Sequence, residues 1–238
     1  MLILPVAVPI GQLGMQLVKN SLTLKMKKMK NLIKYLAIIV VITNLSVSAQ
    51  ENNPMEKAIE KGKSDLLEIL SKSQNEFNFG VNSEKLRGAR GAEPVPFKQM
   101  DFQKLLEYND GPIERLISPT EKFIIALVNQ NQLVTTISIE EKQGNFQVSE
   151  LINQQYTKEM SMLPAEVRQS NYKNVSIVHV PNLRATLYNV AGKTYTAYNG
   201  RSLREAQDMS IFMQELKRDA VIFQEKYGEM LKNGRLID

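Results

Sequence analysis

From Phe123 the chain alternates between apolar runs and short polar turns. Phe123–Val128 is a continuous apolar run, 129–132 is polar, and Leu133–Ile139 ends in strict alternation. Gln143-Gly144-Asn145 turns the chain again before Phe146-Gln147-Val148 alternates. Short β-rich runs joined by such turns predict a three-stranded antiparallel meander. The first strand has no polar face, so it is expected to be buried on both sides, and the other two on one. The same grammar returns later: Val175–Val180, Ala185–Val190, the turn Ala191-Gly192-Lys193 and then Thr194–Tyr198 predict a second antiparallel group, closed by Asn199-Gly200. A short strand is also expected at Phe97–Met100.

Helical periodicity frames these strands. Asn53-Pro54-Met55-Glu56 is a helix start, with a capping residue, a first-turn proline and an acid that completes a capping-box pattern. Met55, Ile59, Leu66, Ile69 and Leu70 then recur at helical spacing, with Gly62 as a weak point, which predicts a helix over 54–75. Residues 151–162 read as a helix that Pro164 interrupts and that resumes over 165–172. Ser202-Leu203-Arg204-Glu205 has the form of a capping box opening a last helix, 202–232. Its Ala206, Met209, Met213, Leu216, Ala220, Phe223, Tyr227 and Met230 follow a 3-4 spacing, the pattern of a coiled-coil seam. Two readings follow: an interaction helix presenting Met209, Met213, Leu216, Phe223 and Tyr227 to a partner or a second copy, or a helix lying on the chain's own sheet. Ile211, Phe212 and Ile222 widen the apolar face, which favours packing in a core. The expected fold is α+β: a mostly antiparallel sheet of four to six strands packed by an N-terminal helix and a long C-terminal helix.

The chain before Gln50 follows a different pattern. Lys27, Lys28, Lys30 and Lys34 precede the apolar run Leu36–Ile42, and Val47-Ser48-Ala49 ends it with small residues. These are the three parts of a secretory signal peptide, expected over 26–49 with cleavage before Gln50. The alternative is an uncleaved anchor over 32–47. Residues 1–25 carry Pro5, Pro9 and Gly11 and suit neither a helix nor a leader, so they read as a mis-assigned gene start. The remainder divides into an N-terminal helix within 50–82 and an α+β domain over 83–238. The expected location is exported: periplasmic, cell-surface or secreted.

Charge looks different once the leader is removed. The whole chain carries 30 basic and 25 acidic residues, a net charge of +5. Residues 1–49 hold six lysines and no acid, so 24 basic residues face 25 acidic ones afterwards, a net charge of −1. That balance removes the electrostatic case for nucleic acid. The absence of cysteine excludes disulfides, thiol chemistry and lipid attachment at a leader cysteine.

Reactive constellations are hard to assemble. His179 is the only histidine and sits in an apolar strand, so a zinc site or a cysteine–histidine dyad is excluded. No serine lies in a Gly-x-Ser-x-Gly elbow, and neither a calcium loop nor a phosphate-binding glycine loop occurs. Glu140-Glu141 point to opposite faces of a strand. Asp101, Glu107, Asp110 and Glu114 fall in a region of turns. No catalytic residue, metal ligand or cofactor is therefore assigned. Two groups suit binding instead. Arg87 and Arg90, within Arg-Gly-Ala-Arg-Gly in the expected linker 80–96, can clamp a phosphate or carboxylate, or mark a cleavable, solvated connection. Tyr188, Tyr195 and Tyr198 gather on the second hairpin, either as a stacking surface for glycan or peptide or as ordinary strand packing.

Gly91-Ala92-Glu93-Pro94, the Leu-Leu-x-Tyr segment of 101–108, Gly111, Leu116-Ile117, Pro119-Thr120 and the hairpin 123–139 together resemble an uncharacterised exported bacterial α+β domain. The resemblance spans about residues 86–190 and implies no activity. Phe146 stands where that pattern carries a tryptophan. The expected function is an exported non-catalytic binding or protein-interaction module, partnered by another exported protein or by itself through the last helix, and touching a membrane only through the leader. Two alternatives remain: an inhibitor or propeptide-like module inserting the 80–96 loop into an exported enzyme, and a hydrolase with a carboxylate-based site.

Overall fold

The computed structural model describes residues 53–72, 79–118 and 121–232; the expected leader over 26–49 and the segment before it lie outside the described residues. Residues from Pro54 onward form one compact unit. Its helices are α1 (Pro54–Lys72), α2 (Ser83–Arg87), α3 (Phe102–Glu107), α4 (Gln154–Met162), α5 (Ala165–Gln169) and α6 (Met209–Lys232). Its strands are β1 (Arg90–Gly91), β2 (Val95–Gln99), β3 (Lys122–Asn129), β4 (Gln132–Lys142), β5 (Asn145–Glu150), β6 (Val175–Val180), β7 (Ala185–Val190) and β8 (Lys193–Thr196). The class is α+β, as the pattern predicts, with eight strands rather than four to six.

The strands form one sheet in the order β5-β4-β3-β2-β6-β7-β8, with β1 also paired to β3. Two antiparallel meanders, β3–β5 and β6–β8, are joined through β2, which runs antiparallel to β3 and parallel to β6. The segment 80–96, expected as a linker, therefore carries α2, β1 and the start of β2. Asn82 caps α2 by accepting from Lys85 N at 2.9 Å, and Val95 is fully buried. The end of the inserting loop of the inhibitor reading, Val95-Pro96, is instead the start of the central strand β2, paired with β3.

Strand alternation sends side chains to two covered faces. On one face Val95, Ile124, Ala126, Ile177, Tyr188 and Tyr195 pack with Tyr156 and Met160 of α4 and Val167 of α5. On the other, α1 covers the β3–β5 half through Ile125, Leu127, Ile137 and Ile139. There α6 covers the β6–β8 half, with Phe212, Met213, Leu216 and Ala220 against Val178, Val180, Ala185 and Leu187. Gly62 lies where α1 comes close to the sheet: a Cβ there would stand 2.9 Å from Ile137 Cδ1 and 3.0 Å from Val148 Cγ2.

The last helix begins at Met209, seven residues after Ser202, the first residue of the apparent capping box. Ser202 closes only a turn, its carbonyl accepting from Glu205 N at 3.2 Å. Leu203 is buried in the core beneath α4 and α5, and Gln207 N donates to Thr194 O at 2.8 Å, holding the segment along β8. Asp208 then supplies the cap, accepting from Ser210 N at 2.9 Å and Ile211 N at 3.1 Å. Among the described residues no helix is long and apolar enough to cross a membrane.

Candidate functional site

The β3–β4 turn and β1 enclose a polar cleft of about 420 Å³ at one end of the sheet. Each wall has a local cause. Gln130 and Asn131 both adopt left-handed backbone, φ 48° and 61°, the geometry that turns a two-residue hairpin with the twist of its strands. Asn129 is fixed beneath them: its Nδ2 donates to Lys85 O at 2.7 Å and ties the end of β3 to α2. Gly88 leaves room for that contact, because a Cβ would lie 2.8 Å from the same Nδ2. Gly91 lets β1 lie against α1; its Cβ would stand 2.7 Å from Ile59 Cγ2. Backbone pairing Arg90↔Val128 and Gly91↔Leu127 then sets Arg90 on the cleft rim.

The side chains there are hydrogen-bonding groups. Arg90 is exposed and makes no ion pair or side-chain hydrogen bond among the described residues, while Gln130, Asn131 and Asn171 add amides around it. A guanidinium offers a fork of donors matched to a carboxylate or phosphate, and amides can complete the shell. Arg87, also exposed, lies outside the cleft lining. The arrangement therefore takes one of the two arginines singled out in the sequence. The amides come from chain positions up to 81 residues from Arg90 (at Asn171), and no local signal marked them.

The tyrosines do not form a surface. Tyr188 and Tyr195 are cross-strand partners, but they are 0% and 4% exposed. Tyr188 OH donates to Glu159 Oε2 at 2.8 Å. Burial, reinforced by the Glu159 charge, raises its pKa well above the ordinary phenol range. Tyr198 is half-buried on the other side of the sheet, near Phe212 with ring centroids 6.3 Å apart, its hydroxyl donating to Asp219 Oδ2 at 3.0 Å. The exposed stacking reading is thus replaced by strand packing, because α4 covers the face that the hairpin pattern left open.

The seam of α6 is largely used within the fold. Met213 and Leu216 are buried on the sheet. Phe223 meets Phe102 of α3 edge-on at 5.6 Å, and Tyr227 follows Phe223 at 5.0 Å. Met209 is half-buried in the same cluster. Of the exposed apolar residues of this helix, Ile211, Val221 and Ile222 lie off the seam and Met230 lies at its end.

His179 is half-buried, with Nδ1 3.4 Å from Thr186 Oγ1 and its ring 5.9 Å from that of Phe97. Burial holds its pKa below the usual imidazole value. Lys122 lies over the other part of this row, 5.3 Å from the Phe97 ring and 3.7 Å from Glu150. This polar row crosses an otherwise apolar face. Among the described residues no three metal-ligating side chains converge. No protein family, curated protein or solved structure matches this chain.

Proposed function

We propose that the chain is an exported, non-catalytic binding module that takes an anionic group of its partner in the Arg90 cleft. The observation that carries this reading is a guanidinium without a counter-charge among the described residues, sharing its cleft with amide side chains, on a scaffold fixed by β1 and the β3–β4 turn. Such a site positions and discriminates; none of its groups is a nucleophile or a general base at neutral pH. Export rests on the basic, apolar and small-residue succession of 26–49, and recovery of a protein beginning at Gln50 from the cell envelope tests it.

The binding experiment is an amide-shift titration of the exported protein with acetate, inorganic phosphate and a short peptide bearing a free C-terminal carboxylate. One probe is expected to shift the amides of 88–92 and 129–131. Arg90→Gln, which removes a charge-assisted hydrogen bond worth about 1.5–3 kcal/mol, is expected to weaken that probe by roughly tenfold or more. Equal affinity in the variant, or shifts elsewhere only, overturns the reading.

A further inference from the structure

A second cleft lies on the other side of the β3–β4 hairpin, and its floor is an open strand edge. β5 pairs with β4 only from Ser138 to Lys142. The remaining stretch of β4, from Gln132 to Ile137, has β3 on one side and no described strand on the other. The N-terminus of α4 takes the outward groups of Thr136: Thr136 N donates to Thr157 Oγ1 at 3.0 Å, and Thr136 O accepts from Asn153 N at 3.3 Å. Beyond Thr136 the ladder changes register, from Leu127↔Thr135 to Val128↔Leu133, so Val134 faces no residue of β3. A bulge of this kind increases local twist and marks a place where pairing is redirected.

The cleft over this edge has a volume of about 450 Å³. Leu133, Val134, Val81 and Ile152 supply apolar walls, and Thr157 and Lys158 of α4 form the rim. Two further observations point to an occupant. Thr135 lines the cleft, is 1% exposed, and its hydroxyl has no hydrogen-bond partner among the described residues. A buried hydroxyl without a partner is costly, and a ligand able to reach it removes that cost. Among the described residues Lys158 is the only charged side chain lining the cleft, and it is exposed and makes no ion pair there.

We infer that this edge accepts an extended segment of a partner protein as an added β-strand, with an acidic residue of that segment set against Lys158. An open edge supplies main-chain hydrogen bonds, and the pockets beside it read alternate side chains. The stretch left open before Thr136, from Gln132 to Thr135, accommodates about four residues of strand. The apolar walls select small β-branched side chains at alternate positions, and the lone cation sets the sign of the charged one.

The test uses the exported protein and two synthetic peptides, acetyl-Thr-Val-Glu-Val-Thr-amide and the same sequence N-methylated at both valines. Binding is followed by amide shifts and hydrogen exchange. The unmodified peptide is expected to shift and protect 133–135, and the methylated peptide, which cannot join a ladder, is expected not to bind. Lys158→Glu is expected to weaken the unmodified peptide at least about tenfold, because it sets like charges together. Arg90→Gln is expected to leave this binding unchanged, which separates it from the cleft at β1. No binding at millimolar peptide, equal binding of the methylated form, or indifference to Lys158→Glu overturns the inference.

Discussion

Tyr188 and Tyr195 stand directly across the β7–β8 ladder from each other, and both rings are closed into the core beneath α4. The contact that places them is the Tyr188 hydroxyl on Glu159, 2.8 Å away, which joins the second meander to α4. Tyr188→Phe keeps the ring and removes the bond. Glu159 is half-buried and can recover water, so the expected loss is about 1.5 kcal/mol in a urea unfolding midpoint. Tyr188→Leu also opens a cavity, and about 3 kcal/mol or more is expected. Indistinguishable midpoints for wild type and Tyr188→Phe would remove the hydrogen bond from the account of how α4 is held.

Alkaline pH should act on several tyrosines together. Burial pushes Tyr156 and Tyr172 up to about 12, and Tyr188 well above the ordinary value of 10.0. Burial and the Asp219 contact push Tyr198 up to about 12. Each raised pKa means that the folded chain holds its phenolic proton where the unfolded chain has released it. The unfolded state then binds fewer protons, so stability falls as pH rises. The stabilisation is complete below pH 10 and is lost between about 10 and 12 and beyond. A scan of melting temperature from pH 8 to 11.5 is expected to decline from about pH 10, with phenolate absorbance at 295 nm appearing in the same step as unfolding. Phenolate appearing near pH 10 with the fold intact would contradict the burial of these rings.

How much of this was legible in the sequence depends on which signal each element carries. The two meanders combine apolar runs, alternating segments and polar turns, so their strands followed from the pattern. β1 has none: Arg90-Gly91 pairs through backbone alone, and a two-residue strand leaves no periodicity to detect. The parallel union of β2 with β6 joins segments about 80 residues apart, Phe97 to Ile177, beyond any local cue. Ser202 misled because a capping box is a local preference, and the bond from Gln207 N to Thr194 O outweighs it. At the site, Arg90 stood out as a charge among glycines, but the turn and Asn171 that surround it are assembled only by the sheet.

Two glycines should respond differently to a single methyl group. At Gly91 the added Cβ meets Ile59 Cγ2 at 2.7 Å, a branch atom held by the stiff first torsion of isoleucine. Gly91→Ala is expected to cost about 1–3 kcal/mol through overpacking. At Gly62 the closest atom is the flexible end of Ile137, and alanine gains about 1 kcal/mol of helix propensity over glycine. Gly62→Ala is therefore expected within about 1 kcal/mol of wild type, the propensity gain offsetting the crowding. Thermal or urea midpoints rank the pair, and a larger loss at Gly62 would mean that α1 sits more tightly on β4 and β5 than on β1.

Arg201 and Glu215 lock the segment after β8 onto α6. Arg201 Nη1 donates to Glu215 Oε1 at 2.9 Å, Nη2 donates to Oε2, and the guanidinium lies 5.3 Å from the Phe212 ring centroid. Asn199 Nδ2 adds a bond to the same carboxylate at 3.0 Å. The side chains are 24% and 19% exposed, less than a third, so the pair is only partly screened. A double-mutant cycle with Arg201→Met and Glu215→Gln is expected to give a coupling of about 1–2 kcal/mol, above that of an open surface pair. The Arg201 guanidinium, with Asn199, holds the Glu215 carboxyl below its ordinary pKa of 4.5. A lowered folded pKa means that the unfolded chain takes up the proton first, so the contribution is present above that value and fades as pH falls through the folded one. The advantage of wild type over Glu215→Gln should therefore shrink progressively as the cycle is repeated at lower pH below 4.5, and a difference that never changes down to acid unfolding would assign the effect to packing rather than to charge.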